Sequence, residues 1–306
     1  MSIRKKEPAR PLPAATVILI RPHRNGFQVY LLKRSPKSRF MPGTYVFPGG
    51  MVDPEDYGLD FWRHHVDISL ATLQRELGTD PLATEDTLSF VIAAIRETFE
   101  EAGVLLVNEN GSASLDLCPL LNPGVRASLG PDWFKAHAME KNWALAVSKL
   151  HRWSHWITPK QMPHRYDTRF FVALMPESQI CRPDGEEATD GIWTTPKDAL
   201  IGNLSGEVPL TPPGMATLNQ LLVHAHADDL LNAASKRSWG DPIEPRVVPM
   251  ARGVMILEPW DPMYHHEQIK IERNRLDEYV LTPEEPFSRL WHDGRLWRPV
   301  RFREKY

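Results

Sequence analysis

Cysteine is almost missing from this chain: Cys118 and Cys181 are the two among 306 residues. Two thiols cannot build a disulfide framework or a cysteine-based zinc site. A reducing compartment is the simpler expectation, and the chain is read as cytoplasmic. Long apolar runs are missing too. None approaches the roughly 18 residues of a membrane span, so no membrane partner is expected. Neither sign of charge is in excess, with 36 Lys and Arg against 39 Asp and Glu. That balance lacks the basic footprint of a nucleic-acid binder. Histidines occur, but never in the H-E-x-x-H spacing of a zinc hydrolase, so they read as surface or packing residues. Internal repeats and low-complexity tracts are absent.

What is present begins with proline. The 28 prolines predict rigid loops and short elements. The basic, Pro-rich start, residues 1–13, reads as a flexible tail, with a short transit peptide as the alternative. "AATVILI" (14–20) and "FQVYLLKR" (27–34) read as strands joined by a hairpin turn at Asn25-Gly26. "YVFPGG" (45–50) is a short strand ending in a turn. Helical patterns follow at 60–77, 87–102, 131–150 and 214–235, with a short helix at 195–201 capped by Thr195. "RWSHWI" (152–157) and "TRFFVALM" (168–175) are strands, and "LWHDGRLW" (290–297) is a hairpin around Asp293-Gly294. Interspersed strands and helices predict a layered α/β fold.

The chemistry concentrates in "RETFEEAGV" (96–104). Residues three and four apart share a helix face, so Glu97 lies beside both Glu100 and Glu101. Arg96 can answer one of the three carboxylates. A divalent cation would answer the others, because magnesium takes oxygen ligands from carboxylates and substrate phosphates. Gly103 sits where a left-handed helix cap would fall. The bland reading is a solvated, exposed charged face.

Context moves the balance. "FPGG" (47–50) and the acidic "DPEDYG" (53–58) precede the helix. Together these residues resemble the box of the Nudix hydrolases, Gly-x5-Glu-x7-Arg-Glu-U-x-Glu-Glu-x-Gly-U, where U is apolar. Arg96, Glu97, Glu100, Glu101, Gly103 and Val104 fall in place, and Thr98 departs at one U position. Gly50 and Arg96 are separated by 45 residues, far more than the pattern allows, which points to an insertion at 57–89 inside the box. Asp56 holds the x5 position, flanked by Glu55 and Asp53. Upstream, "LLKRSPKSRFMPGTYVFPGG" (31–50) resembles the extra signature of the coenzyme A pyrophosphatase branch, with Lys33 in place of its threonine. The interrupted box, "WITP", "RYDTRFF" and "PLTPPGMATL" are similar to the nucleoside diphosphate-linked moiety X motif 19 proteins.

The resemblance implies an α/β/α sandwich with a mixed β-sheet, a helical insertion within the box and a C-terminal extension. The expected layout is a hydrolase domain at 14–203 and an extension at 204–306. It implies hydrolysis of a diphosphate linked to another moiety, with Mg2+ or Mn2+ held by Glu97, Glu100 and Glu101. Arg96 would pair with a box carboxylate and fix the ligand geometry. Gly49 and Gly50 would let the backbone approach metal and phosphate. Glu100, Glu101 or an acid of a distant loop, Glu186 or Glu187 in "DGEEATDGIW" (184–193), would serve as base. Arg34 and Arg39 are candidates for substrate phosphate, and Phe61, Trp62 and Leu70 of the insertion for an apolar groove. The expected partner is a small nucleoside diphosphate compound, first coenzyme A or an acyl derivative, otherwise ADP-ribose or a dinucleotide. A non-catalytic nucleotide-binding domain is the reading from another class. A homodimer is compatible with the sequence.

Overall fold

Apart from Thr16, the run at 14–20 is apolar at successive positions because both faces of its strand are covered. In the computed structural model, which describes residues 8–38, 41–78, 82–108, 130–250, 252–266 and 280–301, this run is the middle of β1 (Leu12–His23). β1 turns into the antiparallel β2 (Gly26–Arg34). The two-residue loop is Arg24-Asn25, one position earlier than expected, and Arg24 takes the positive φ of 47° that such a turn requires. On its other edge β1 runs parallel to β6 (Tyr166–Leu174), which pairs antiparallel with β5 (His151–Ile157). The sheet is therefore mixed, and with the strands below it has seven members.

β1 and β2 pair only near their turn, from Ile20↔Val29 to His23↔Gly26. Beyond that they diverge, and the segment expected as one strand fills the split as two. β3 (Tyr45–Val46) pairs with Leu32 and Lys33 of β2, while β4 (Gly49–Met51) pairs with Ala14 to Thr16 of β1. Pro48 explains the division. It has no N–H to give to a ladder, and its carbonyl accepts from Val17 as the chain crosses. β7 (Ala188–Thr194) covers the far edge of β2, with a bulge at Lys33/Arg34.

Odd residues Ala15, Val17 and Leu19 pack with α3 (Thr84–Ala102), and even residues Ile18 and Ile20 pack on the opposite face. That face carries α5 (Pro196–Ser205), α6 (Pro212–Leu221) and α7 (Ala227–Ser235). The same cluster takes in Ile256, Leu290 and Trp297 of a second, four-stranded antiparallel sheet. Its strands are β8 (Arg246–Pro249), β9 (Val254–Leu257), β10 (Arg289–His292) and β11 (Trp297–Pro299). Thr195 caps α5 as expected, accepting from the Asp198 N–H at 3.1 Å.

Three expectations change. The helix at 131–150 is reduced to α4 (Trp133–Glu140), because Asn142 enters the left-handed region at φ 48° and turns the chain back. The helix at 214–235 is broken into α6 and α7. Asp228 and Asp229 open the second one, where acidic residues complement a helix N-terminus. Residues 57–89 contain α1 (Leu59–Trp62), α2 (Leu70–Leu77) and the first turns of α3. Their aromatic and aliphatic side chains do not wall a groove. Trp62 is 1% exposed, and Phe61 and Leu70 pack against the same cluster, since the insertion must bury its own apolar face.

Candidate active site

α3 brings the motif to the split in the sheet. It is buried from Thr87 to Arg96, it ends at Gly103 in the left-handed conformation (φ 69°), and Arg96 to Glu101 meet the β4 turn. Arg96 is 4% exposed and spends all its donors. Nε and Nη2 grip the two oxygens of Asp56 at 2.9 and 2.8 Å, and Nη2 also donates to the Met51 carbonyl at 2.9 Å. Nη1 reaches Glu97 at 3.0 Å and Glu100 at 2.7 Å. Asp56, at the x5 position, is thus the carboxylate that pairs with the box arginine. It sits in a 3-10 turn, Pro54–Asp56, where it also accepts from the Asp53 N–H. Burial alone would lower the Arg96 pKa. The bond to Asp56 and the charges of Glu97, Asp56 and Glu100 outweigh it, and the guanidinium is held firmly cationic.

The glycines are where close approach demands them. A Cβ on Gly50 would lie 2.4 Å from Oε1 of Glu97. One on Gly49 would lie 2.3 Å from the Ala15 carbonyl oxygen. The Gly49 N–H donates to Oε2 of Glu101 at 2.8 Å. The two halves of the motif, with 45 residues between Gly50 and Arg96, are in direct contact.

The carboxylates are not the exposed set the sequence suggests. Glu101 is 8% exposed. Burial pushes its pKa up to about 8; the Gly49 N–H and Arg34 oppose this, while Glu187 and Asp184 add to it. Glu97 is raised well above the usual carboxylate range, by burial first, then by Glu101 and Glu100, against the pull of Arg96. Burial also raises Glu100. Carboxylates outnumber guanidiniums here, so the cluster is short of positive charge. Among the described residues no three acidic, His or Cys groups form a closed metal cluster, and Arg96 occupies one oxygen each of Glu97 and Glu100. The donor set still suits a hard divalent cation, which takes oxygen ligands and would supply the missing charge.

These groups line one cavity of about 1010 Å³. Arg34, Gly49, Gly50, Arg96, Glu97, Glu100, Glu101, Glu186 and Glu187 all face it. The loop carrying Glu187 is tied to both neighbours: the Asp184 N–H donates to the Glu101 carbonyl, and the Ser35 N–H to the Glu187 carbonyl. Arg39 lies outside the described residues. Sequence reasoning missed Trp133 of α4, whose indole N–H donates to Oε1 of Glu100 at 2.7 Å. It also left Asp184 unnamed, which lines the cavity beside Glu187. Trp133 has no motif position; its place follows only from α4 folding over the end of α3, where it packs on Phe99.

A family model, that of the NUDT19 Nudix domain, matches residues 6–221. The chain belongs to this family of Nudix hydrolases. The acyl-coenzyme A diphosphatase NUDT19 of Homo sapiens is 29% identical over 330 residues, covering 96% of this chain and 83% of the human protein. The Gallus gallus protein of the same name is 28% identical over 289 residues, covering 78% of this chain and 73% of its own. Among solved structures, a NUDIX hydrolase from Alicyclobacillus acidocaldarius is similar at 28% identity with a TM-score of 0.60, covering 76% of this chain and 99% of that one. The sandwich and mixed sheet are therefore the Nudix fold, and the chain is a Nudix hydrolase. Its family uses divalent metals. No helix among the described residues is long and apolar enough to cross a membrane.

Proposed function

We propose that this Nudix hydrolase cleaves the diphosphate of coenzyme A or an acyl-coenzyme A, giving 3′,5′-ADP and the corresponding 4′-phosphopantetheine. The observation that carries the reading is the contact of Gly49 with Glu101 and of Gly50 with Glu97, carboxylates short of counter-charge at the wall of a cavity large enough for a nucleotide conjugate. The upstream coenzyme A signature and the names of the relatives supply the substrate class.

Glu97, Glu100 and Glu101 would hold Mg2+ or Mn2+. When bound, the metal neutralises diphosphate charge and activates water. Arg96 holds Glu97 and Glu100 in place and is itself fixed by Asp56, a positioning role. Gly49 and Gly50 leave room for phosphate beside the carboxylates. Arg34 faces the cavity near Glu101 and can meet a phosphate oxygen with a charge-assisted bond. Glu187, which lines the cavity, would take a proton from the attacking water, with Glu101 as the other candidate. Residues 14–203 and 204–306 act as one catalytic unit on a small nucleoside diphosphate compound.

A product-resolved assay tests this. Coenzyme A, dephospho-coenzyme A, ADP-ribose and a dinucleotide are incubated with Mg2+ or Mn2+, and products are separated. The expected result is 3′,5′-ADP from coenzyme A, at higher kcat/KM than cleavage of the other three. A clear preference for ADP-ribose or the dinucleotide moves the assignment to that conjugate. No turnover of any compound leaves a binding domain.

A further inference from the structure

The cavity has a second wall that neither the box nor the insertion supplies. Trp156 of β5, Thr168 and Phe170 of β6, and Pro212 and Pro213 of α6 line it on the sheet face opposite α3. Pro245, Val247 of β8, Val254 and Ile256 of β9, and Trp297 of β11 complete it. All five of these last residues belong to the C-terminal region, and none carries a charge. Every charged lining residue comes from elsewhere: Arg34 of β2, Asp53, the carboxylates and Arg96 of α3, and the loop of Asp184, Glu186 and Glu187.

From this division we infer that the C-terminal sheet is the specificity wall for the apolar end of the substrate, the thioester-linked acyl chain. The inference rests on the coenzyme A reading proposed above. A substrate of that class has one densely anionic arm, the 3′-phosphorylated nucleotide, and one long, weakly polar arm. A phosphate dianion placed against Val247, Val254, Ile256 and Trp297 would lose its water with no cation to replace it. The acyl chain at the end of the weakly polar arm loses nothing there, and each buried methylene gains. With the diphosphate fixed at the α3 carboxylates, the nucleotide arm must stay on the side of Arg34. The pantetheine arm then runs across β5 and β6 toward β8 and β9, bringing an acyl chain against the C-terminal sheet. Val247, Val254 and Trp297 set how much chain is accommodated.

The test compares kcat/KM for octanoyl-coenzyme A and coenzyme A in wild type, Val254→Ser and Val247→Trp, with thermal melts of each. Val254→Ser leaves a smaller side chain and replaces apolar surface with a hydroxyl. Val247→Trp fills the space. In both, the octanoyl-to-free ratio is expected to fall about tenfold. Inhibition by 3′,5′-ADP is expected to stay within about twofold of wild type, because the nucleotide lies elsewhere. An unchanged ratio in Val254→Ser, with a melt like wild type, overturns the inference. So does a loss of 3′,5′-ADP inhibition in place of the ratio, which would put the nucleotide on this wall. Wild type turning over ADP-ribose but neither coenzyme A compound would instead overturn the substrate reading itself.

Discussion

One cavity has two walls of opposite character. The α3 wall crowds the half-buried Glu97 and Glu100 on the Arg96 guanidinium and sets the buried Glu101 beside them, with Arg34 as its nearest counter-charge. The C-terminal wall offers Val247, Val254, Ile256 and Trp297 and no charge. The first stores an electrostatic deficit that only a bound cation or protons can relieve. The second gains free energy simply by excluding water. A diphosphate conjugate with an apolar tail needs both, and the split between β1 and β2 lets the α3 side communicate with the opposite sheet face.

Changes on the charged wall should act on chemistry, beginning with the largest. Glu100→Gln is expected to lower kcat on the order of a thousandfold, because a ligand charge is lost where transition-state charge is neutralised. A steady-state assay at saturating Mg2+ reads it, and full activity would remove Glu100 from the ligand set. Gly50→Ala comes next. Its Cβ would meet the Glu97 carboxylate at 2.4 Å, so that carboxylate must move, and about a hundredfold loss of turnover should follow. The melt should stay close to wild type, since the displaced group is the end of a side chain. Trp133→Phe deletes the N–H that holds Glu100 while keeping a ring against Phe99. Roughly tenfold weaker metal dependence of kcat is expected, with little change at saturating metal.

The smallest effect is on stability. Glu101 has its folded pKa raised to about 8 from an ordinary 4.5, so between these values the folded chain binds more protons than the unfolded one. The contribution of Glu101 to the stability of metal-free protein is present below pH 4.5 and is lost as pH rises through about 8. Melts across that window should slope downward, and Glu101→Gln should flatten the slope. Other groups titrate in the same range, so the difference between the two proteins is the quantity to read.

The charged wall was legible in sequence because its residues sit three and four apart on one helix and carry charges that cost energy to gather. Even there, burial was not legible. The exposed face expected for Glu101 became an 8% exposed carboxylate because β4 lies across it. That crossing depends on β1 and β2 parting, which no local pattern signals. The apolar wall was illegible for another reason. Val254 and Ile256 look like residues of any short strand, and only packing of β9 against the body turns them toward the cavity. Phe61 and Trp62 looked equally suitable for that task, and the fold spends them on the core around α3. Trp133 was hidden because it holds no motif position, and only the packing of α4 over the end of α3 brings it to Glu100.

Manganese binding to metal-free protein, followed by titration calorimetry at pH 8 in wild type and Glu101→Gln, probes the charge deficit of the α3 wall. The expected result is specific binding in wild type, at least tenfold weaker in the variant, whose melt without metal is equal or higher. Equal manganese affinity in the two proteins would contradict the account, because the buried carboxylates of α3 would then not be where the cation sits.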